Sequence, residues 1–141
     1  LARGTGHLPT IAAASAQLGR ASWSAARTLE QREVAEAQLK DSLQLAASAG
    51  DKSLLARTAG YLFAIISYGQ RRIRDAEAML PGVEAMIAGA GNQPEQRVQM
   101  LMGKATILSW QFEFSEALAA LDEVIRLAPS VDGEIRVCGP D

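Results

Sequence analysis

The feature that most constrains this chain is a pattern of residues that recurs 41 positions later in the sequence. Ala49-Gly50-Asp51 is matched by Ala90-Gly91-Asn92, and the same spacing relates further pairs of similar chemistry. These pairs are Gln70 and Gln111, Ile73 and Phe114, Asp75-Ala76 and Glu116-Ala117, Leu80 and Leu121, and Val83 and Val124. A set of matches at one spacing indicates a repeated supersecondary unit. Applied backward, the spacing places Ala35 under Ala76 and Leu39 under Leu80, so we infer a degraded first copy as well.

Hydrophobic periodicity identifies the unit as helical. Between Ser53 and Gln70 there is no proline, and the apolar residues follow one another at gaps of one, three and four, which is typical of a broad helical face. The short run from Tyr61 to Ile66 would suit a buried strand on its own, but helical sequence extends on both sides of it. We predict helices over Pro9–Arg27, Glu33–Ala49, Ser53–Gln70, Arg74–Ile87, Pro94–Gln111 and Ser115–Leu127.

Glycine and proline mark the predicted boundaries. Gly50-Asp51 and Gly91-Asn92 separate pairs of helices, and Pro129 ends the last helix. Pro81 interrupts the fourth segment, so we expect it either to start a helix after a break or to kink one. The sequence therefore predicts one helical domain over residues 8–129 and an irregular tail over residues 130–141.

The unit resembles the tetratricopeptide repeat family. The residues of the last unit that fall at the spacing of that family are Leu101, Ala105, Leu108, Phe114, Ala117, Leu121, Val124 and Pro129. The middle unit departs from the pattern at Gly60, and the first has Arg32 where an aromatic or aliphatic residue is usual. The resemblance implies an all-α, right-handed superhelix of about three antiparallel helix hairpins, in which Ile73 and Phe114 plug the turns. The spacing exceeds the usual repeat of about 34 residues, so the units are similar to the elongated repeats of large bacterial regulators.

The resemblance also implies where a partner binds, because in this family the first helix of each hairpin lines a concave groove. The corresponding positions are Thr58, Tyr61, Ile65, Tyr68, Gln99, Met102, Thr106 and Trp110, with Arg20, Ser24 and Arg27 in the first unit. Aromatic and methionine side chains in a groove suit an apolar or extended peptide. The alternative interpretation is that Tyr61, Ile65 and Trp110 pack against a neighbouring helix.

The sequence offers little catalytic chemistry. One histidine, His7, and one cysteine, Cys138, lie at opposite ends, so neither a nucleophilic triad nor a zinc cluster is expected. No phosphate-binding loop is present. We interpret Glu30, Glu33 and Glu36 as a solvated acidic stripe, and Arg71, Arg72 and Arg74 as a solvated turn; the alternative for these arginines is contact with phosphate or an acidic partner. We expect no enzyme, no cofactor and no metal; the alternative is an enzyme with a carboxylate site near Glu33 or Glu84.

The remaining expectations concern partners and location. The formal net charge of −2 gives no reason to expect nucleic acid or an anionic membrane as a partner. The most apolar run, Tyr61–Tyr68, is much shorter than the roughly 20 residues that span a bilayer. We expect a cytoplasmic scaffold that binds a protein or peptide, as a piece of a larger bacterial regulatory protein, with possible homo-oligomers through its end faces. A second hypothesis is the small-molecule-sensing arm of a transcription regulator or kinase.

Overall fold

The computed structural model describes residues 7–130, and within them it contains helices and no strand. The six α-helices are α1 (Leu8–Ala25), α2 (Leu29–Ser48), α3 (Lys52–Ala64), α4 (Ile73–Gly89), α5 (Pro94–Trp110) and α6 (Phe114–Leu127). A π-helical segment, Ile65–Gly69, continues α3, and a 3-10 turn, Ala128–Ser130, follows α6. The predicted helices are thus confirmed. Apart from Ser130, the predicted tail lies outside the described residues, as do Cys138 and residues 1–6.

The helices pair into three hairpins that follow one another in chain order. Within each hairpin the two helices pack together, as α1 with α2, α3 with α4, and α5 with α6. Helix α3 also packs on α2, and α5 packs on both α3 and α4. In the described part of the chain, no helix of the first hairpin contacts the third. Each hairpin therefore covers its apolar face with its neighbour in the sequence.

The turns repeat in backbone conformation at the same spacing as the sequence. Gly50 and Gly91, which are 41 residues apart, have φ angles of 68° and 89° after the second helix of a hairpin. This left-handed conformation favours glycine because it has no Cβ. Arg71 and Phe112, also 41 apart, have φ angles of 55° and 63° inside the second and third hairpins. The recurrence in backbone angles supports the repeat independently of side-chain similarity.

The turn of the first hairpin is built differently. The Thr28 hydroxyl accepts a hydrogen bond from the Gln31 backbone N–H at 3.2 Å, and the Gln31 side chain accepts one from the Thr28 N–H at 3.2 Å. This capping box starts α2 at Leu29, one turn earlier than the 41-residue spacing predicts. Arg32 therefore lies inside α2 rather than at the turn.

Loss of this cap is expected to have a measurable cost. Thr28→Ala should lower the free energy of unfolding by about 1 kcal/mol, because the α2 N-terminus loses a hydrogen-bond acceptor. Urea unfolding followed by circular dichroism measures the change. Thr10→Ala, at an exposed position in α1, is the matched control and should change little. Equal losses in both variants would show that the cap does not stabilise α2.

A small residue is buried near the start of the second helix of each hairpin. Ala35, Ala76 and Ala117 are buried at successive 41-residue steps, as the repeat predicts, and alanine lets helix axes approach closely. The larger core residues gather on α2, α3 and α4 around Phe63, which is fully buried. The prediction that Phe114 plugs its turn is wrong, because the side chain is 57% exposed at the first position of α6.

Pro81 neither starts nor interrupts a helix, since α4 runs continuously from Ile73 to Gly89. Proline removes one backbone donor, so the Glu77 carbonyl loses its partner within the helix. Pro81 lies on the exposed face of α4, where water can bond that carbonyl. Of the two expectations for Pro81, a helix start after a break is therefore wrong, and a proline within a continuous helix is what the structure has.

The end of α3 is widened into the π-helical segment. The Gln70 N–H donates to the Ile65 carbonyl at 2.7 Å, five residues back, and the Ser67 hydroxyl donates to the Phe63 carbonyl at 2.6 Å. Gly103 of α5 lies against this segment, and a Cβ built on it would be 2.2 Å from Phe63 Cε1 and 2.6 Å from Ser67 Oγ. The absence of a side chain at Gly103 thus allows α5 to pack closely on α3. No helix among the described residues is long and apolar enough to cross a membrane.

Candidate binding groove

An open groove of about 490 Å³ lies between the π-helical segment, α5 and α6. Its lining residues are Tyr68, Arg71, Met102, Ala105, Thr106, Ser109, Trp110 and Leu121. Four of these, Tyr68, Met102, Thr106 and Trp110, are among the eight groove positions predicted from the sequence. We call this site the Tyr68–Trp110 groove.

Helix α5 supplies most of the wall. Met102, Thr106 and Trp110 are spaced by four residues and so lie along one face of the helix. The Thr106 hydroxyl donates to the Met102 carbonyl at 3.0 Å, and the Ser109 hydroxyl donates to the Ala105 carbonyl at 2.8 Å. These hydroxyl hydrogens are used within the helix, which leaves a mainly apolar wall that can accept hydrogen bonds.

The rim of the groove combines two aromatic side chains and a cation. Trp110 is 57% exposed and Tyr68 is 39% exposed, and the Arg71 side chain is exposed in the turn after the π-helical segment. Among residues 7–130, the ion pairs of the second and third hairpins involve Arg72, Lys104 and Arg97, and none involves Arg71. Tryptophan, tyrosine and arginine are the residue types that contribute most to binding energy in protein interfaces.

The other predicted groove positions lie elsewhere. Thr58 and Ile65 are buried, so a partner at the surface would not reach them. Tyr61 is half-buried, and the Arg20 guanidinium stacks on its ring at 4.7 Å from the centroid. Gln99 is half-buried with its Oε1 2.9 Å from where a Cβ on Gly60 would lie. Gly60, a departure from the family pattern, therefore makes room for Gln99. Ser24 and Arg27, at the end of the first hairpin's leading helix, are exposed.

Sequence reasoning missed Arg71 as a groove residue and assigned it to a solvated turn. The sequence carries no signal for it, because Phe112, the counterpart of Arg71 41 residues later, shares its left-handed conformation but not its chemistry. A non-glycine residue with positive φ is uncommon and costs about 1–2 kcal/mol. The π-helical segment before Arg71 was also missed, although such segments are frequent at functional sites.

A second opening, of about 710 Å³, lies between α2 and the turn before α4. Its polar part is an ion-pair network that centres on Glu36, which accepts from Lys40 Nζ and from Arg72 Nη1, each at 2.7 Å. Arg72 also pairs with Asp75 at 2.7 Å. The prediction of a solvated stripe is wrong for Glu36, because that residue is buried between the first two hairpins. We interpret this network as a connection between hairpins.

The charges around Glu36 set its protonation. Burial alone would raise the pKa of the Glu36 carboxyl, but hydrogen bonds from Lys40 and Arg72, together with their positive charges, outweigh burial. The pKa of Glu36 therefore lies below its ordinary value, and the residue is a carboxylate at neutral pH.

His7 is exposed at the start of α1. The sequence contains one histidine, so His7 has no second histidine to act with. Within residues 7–130, no three histidine, cysteine, aspartate or glutamate side chains are grouped so that they could hold a metal ion. Comparison of this chain with protein-family models, curated proteins and solved structures found no match.

Proposed function

We propose that the three hairpins form a right-handed, tetratricopeptide-like stack that belongs to a larger cytoplasmic regulatory protein, and that the stack binds a short segment of a protein partner in the Tyr68–Trp110 groove. The function is binding rather than catalysis. The stack supplies the apolar wall of the groove and the Arg71 guanidinium, and the partner supplies an apolar side chain and a carboxylate.

Two observations support the stack. The buried alanines and the left-handed turn residues recur at the same 41-residue spacing. Each hairpin contacts only its sequence neighbours among the described helices, which is the arrangement that makes repeat proteins linear. A linear stack leaves long surfaces between successive helices, and the Tyr68–Trp110 groove is one of them.

The observation that carries the binding proposal is the combination of exposed aromatic rings with an unpaired guanidinium over an apolar wall. An aromatic ring that is half exposed gains most from a ligand that covers it. Arg71 would pair with a carboxylate, most favourably in the two-pronged geometry that guanidinium groups adopt. We therefore expect a peptide that carries an apolar side chain next to an aspartate, a glutamate or a free C-terminal carboxylate.

The test is a selection of peptides from a random displayed library on the full chain, followed by fluorescence titration of the selected peptides. Enrichment of an apolar residue beside an acidic one is expected. Trp110→Ala and Arg71→Glu should each weaken binding at least about tenfold, because each removes a principal contact. Leu18→Ala is the matched control, since Leu18 has the same 57% exposure as Trp110 but lies on α1.

Some results would overturn the proposal. Peptides bound equally by the wild type and by both groove variants would place the site elsewhere on the molecule. A library that yields no acidic peptide, together with thermal stabilisation by small metabolites, would favour the sensing arm. Arg71→Lys separates charge from shape, because lysine keeps the charge but loses the planar fork, and we expect it to retain only part of the affinity.

A further inference from the structure

Helix α6 carries a continuous apolar surface that no described helix covers. Six large apolar side chains near it are between 40% and 78% exposed: Trp110, Phe112, Phe114, Leu118, Leu121 and Ile125. The Phe112 and Phe114 rings meet edge to face with centroids 6.0 Å apart, and Trp110 and Leu121 line one groove. We call this set the α6 surface. Among the described elements, α6 contacts α5 and the 3-10 turn only.

The first two hairpins carry carboxylates at the corresponding positions. The 41-residue spacing aligns Leu118 with Glu77 and Glu36, and Ile125 with Glu84. Each of these three carboxylates accepts a hydrogen bond from the hairpin that follows it, at distances of 2.7, 2.8 and 3.4 Å. The donors are Arg72 for Glu36, Gln111 for Glu77 and Lys104 for Glu84. The third hairpin thus presents leucine and isoleucine on the face by which the first two hairpins bind the hairpin that follows them. A following hairpin with the same polar donors would find no carboxylate acceptor at these two positions.

We propose that the α6 surface is covered by the α6 surface of a second copy of this chain, with the two α6 helices antiparallel about a two-fold axis. This inference goes beyond the groove, and because Trp110 and Leu121 belong to both surfaces, a peptide in the groove and a second copy are expected to compete. The stripe Phe114, Leu118, Leu121, Ile125 has gaps of four, three and four, which read the same in both directions. Antiparallel pairing therefore places Phe114 opposite Ile125 and Leu118 opposite Leu121, and each apolar residue meets another.

The exposed area is sufficient for such a dimer. With about 200 Å² for a large apolar side chain, the exposed fractions of the six residues correspond to about 700 Å² per copy. A standard specific interface buries about 800 Å² per partner, and the largest apolar patch on a monomer is usually about 300–600 Å². The surface is thus larger than a monomer ordinarily exposes and close to what one partner of a stable dimer contributes.

The helix dipoles favour the same direction, because they are opposed in an antiparallel pair and aligned in a parallel one. In the antiparallel register Glu113, the N-cap residue of each α6, lies at the same end as Arg126 of the other copy. Glu123, near Arg126 in sequence, is already paired with Arg97 of its own chain.

The proposal is tested by sedimentation velocity of the full chain over a range of concentrations. A species of twice the 15.0 kDa chain mass is expected. Leu118→Glu should raise the dimer dissociation constant by about 100-fold, because a two-fold dimer contains the substitution twice and each copy loses about tenfold. Ile125→Lys is a second variant of opposite charge. Neither residue lines the Tyr68–Trp110 groove, so peptide binding should persist in both.

A mixing experiment tests the antiparallel register. Leu118 of one copy faces Leu121 of the other, so a Leu118→Glu chain mixed with a Leu121→Lys chain should form a heterodimer through one new ion pair. A Leu118→Glu chain mixed with a Leu118→Lys chain should form less heterodimer, because the two substituted residues do not face each other. Leu18→Glu is the control for an exposed leucine elsewhere, with 57% exposure against 62% for Leu118, and it should remain dimeric.

The following results would contradict the inference of an antiparallel α6 dimer. A wild-type chain that stays monomeric up to about 100 µM would lack the self-association that such an area supports. Dimers that survive both Leu118→Glu and Ile125→Lys would place the interface elsewhere, and loss of dimer in Leu18→Glu would indicate head-to-tail stacking. Far-ultraviolet circular dichroism establishes that each variant is folded, as its exposed position leads us to expect.

Discussion

Replacing Gly103 with alanine should lower the free energy of unfolding by about 1–3 kcal/mol, although alanine is the better helix former. In an open helix the same change would stabilise by about 0.5–1 kcal/mol. At Gly103 the added Cβ would lie 2.2 Å from Phe63 Cε1 and 2.6 Å from Ser67 Oγ. Phe63 is fully buried and Ser67 is held by its bond to the Phe63 carbonyl, so neither can move aside freely. The α5 helix must therefore shift away from α3.

Gly82→Ala is the matched control for this prediction. Gly82 lies inside α4, and a Cβ built there meets nothing within 4 Å. We expect thermal melts to show a gain for Gly82→Ala and a loss of about 3–8 °C for Gly103→Ala. A gain in both variants would mean that α5 and α3 are not in close contact at this point.

A double-mutant cycle identifies the cause of the loss. Phe63→Leu removes the ring atoms that the new Cβ meets, so Gly103→Ala should cost less in that background, with a coupling energy of about 0.5–3 kcal/mol. The shift of α5 also carries Trp110 away from Tyr68, since these residues lie on the two helices that Gly103 brings together. Gly103→Ala is therefore expected to weaken binding of a selected peptide as well as stability.

The sequence predicted the helices and their spacing because both depend on local patterns. Apolar residues at gaps of three and four indicate a helical face wherever they occur. Glycines such as Gly50 and Gly91 mark a left-handed turn that other residues rarely adopt. These signals do not depend on how one hairpin packs on the next, so a single chain is enough to find them.

The groove was predicted only in part because its composition depends on packing between helices. The family positions place Thr58 and Ile65 on the groove, yet both are buried, since α3 and its π-helical continuation are surrounded by neighbouring helices on several sides. Arg71 has no sequence signal for its left-handed φ, and Gly103 looks like an ordinary glycine within a helix. Their roles follow from neighbours that lie far away in sequence.

The burial of the charged residue Glu36 also could not be predicted from the sequence. Glu30, Glu33 and Glu36 are spaced alike, but only Glu36 is buried, because the turn of the second hairpin covers that part of α2. Helical spacing can place a residue on a face, but the stacking of the next hairpin decides whether the face meets water. Glu36, which the sequence does not distinguish from Glu30 and Glu33, is therefore the residue that links the first two hairpins.

Replacing Glu36 with glutamine should lower the free energy of unfolding by about 1–3 kcal/mol at neutral pH, because two charge-assisted hydrogen bonds lose their anionic acceptor. Lys40 and Arg72 remain partly exposed and can be solvated, which keeps the loss below that of a fully buried pair. Asp75→Asn is the matched control. It removes the carboxylate on the other side of the same guanidinium, but Asp75 is 55% exposed, so we expect a change of about 0.5 kcal/mol or less.

The pH dependence of the loss separates an electrostatic cause from a steric one. The pKa of Glu36 is lower in the folded chain than the ordinary value of 4.5, so the folded state binds the proton less readily than the unfolded state. The stability that Glu36 contributes is therefore fully present above about pH 4.5 and is lost as the pH falls through the lower folded pKa. Urea unfolding of the wild type and Glu36→Gln at several pH values should give curves that differ at pH 7 and converge in acid. A difference that stayed constant with pH would mean that Glu36 stabilises the two hairpins by its packing and not by its charge.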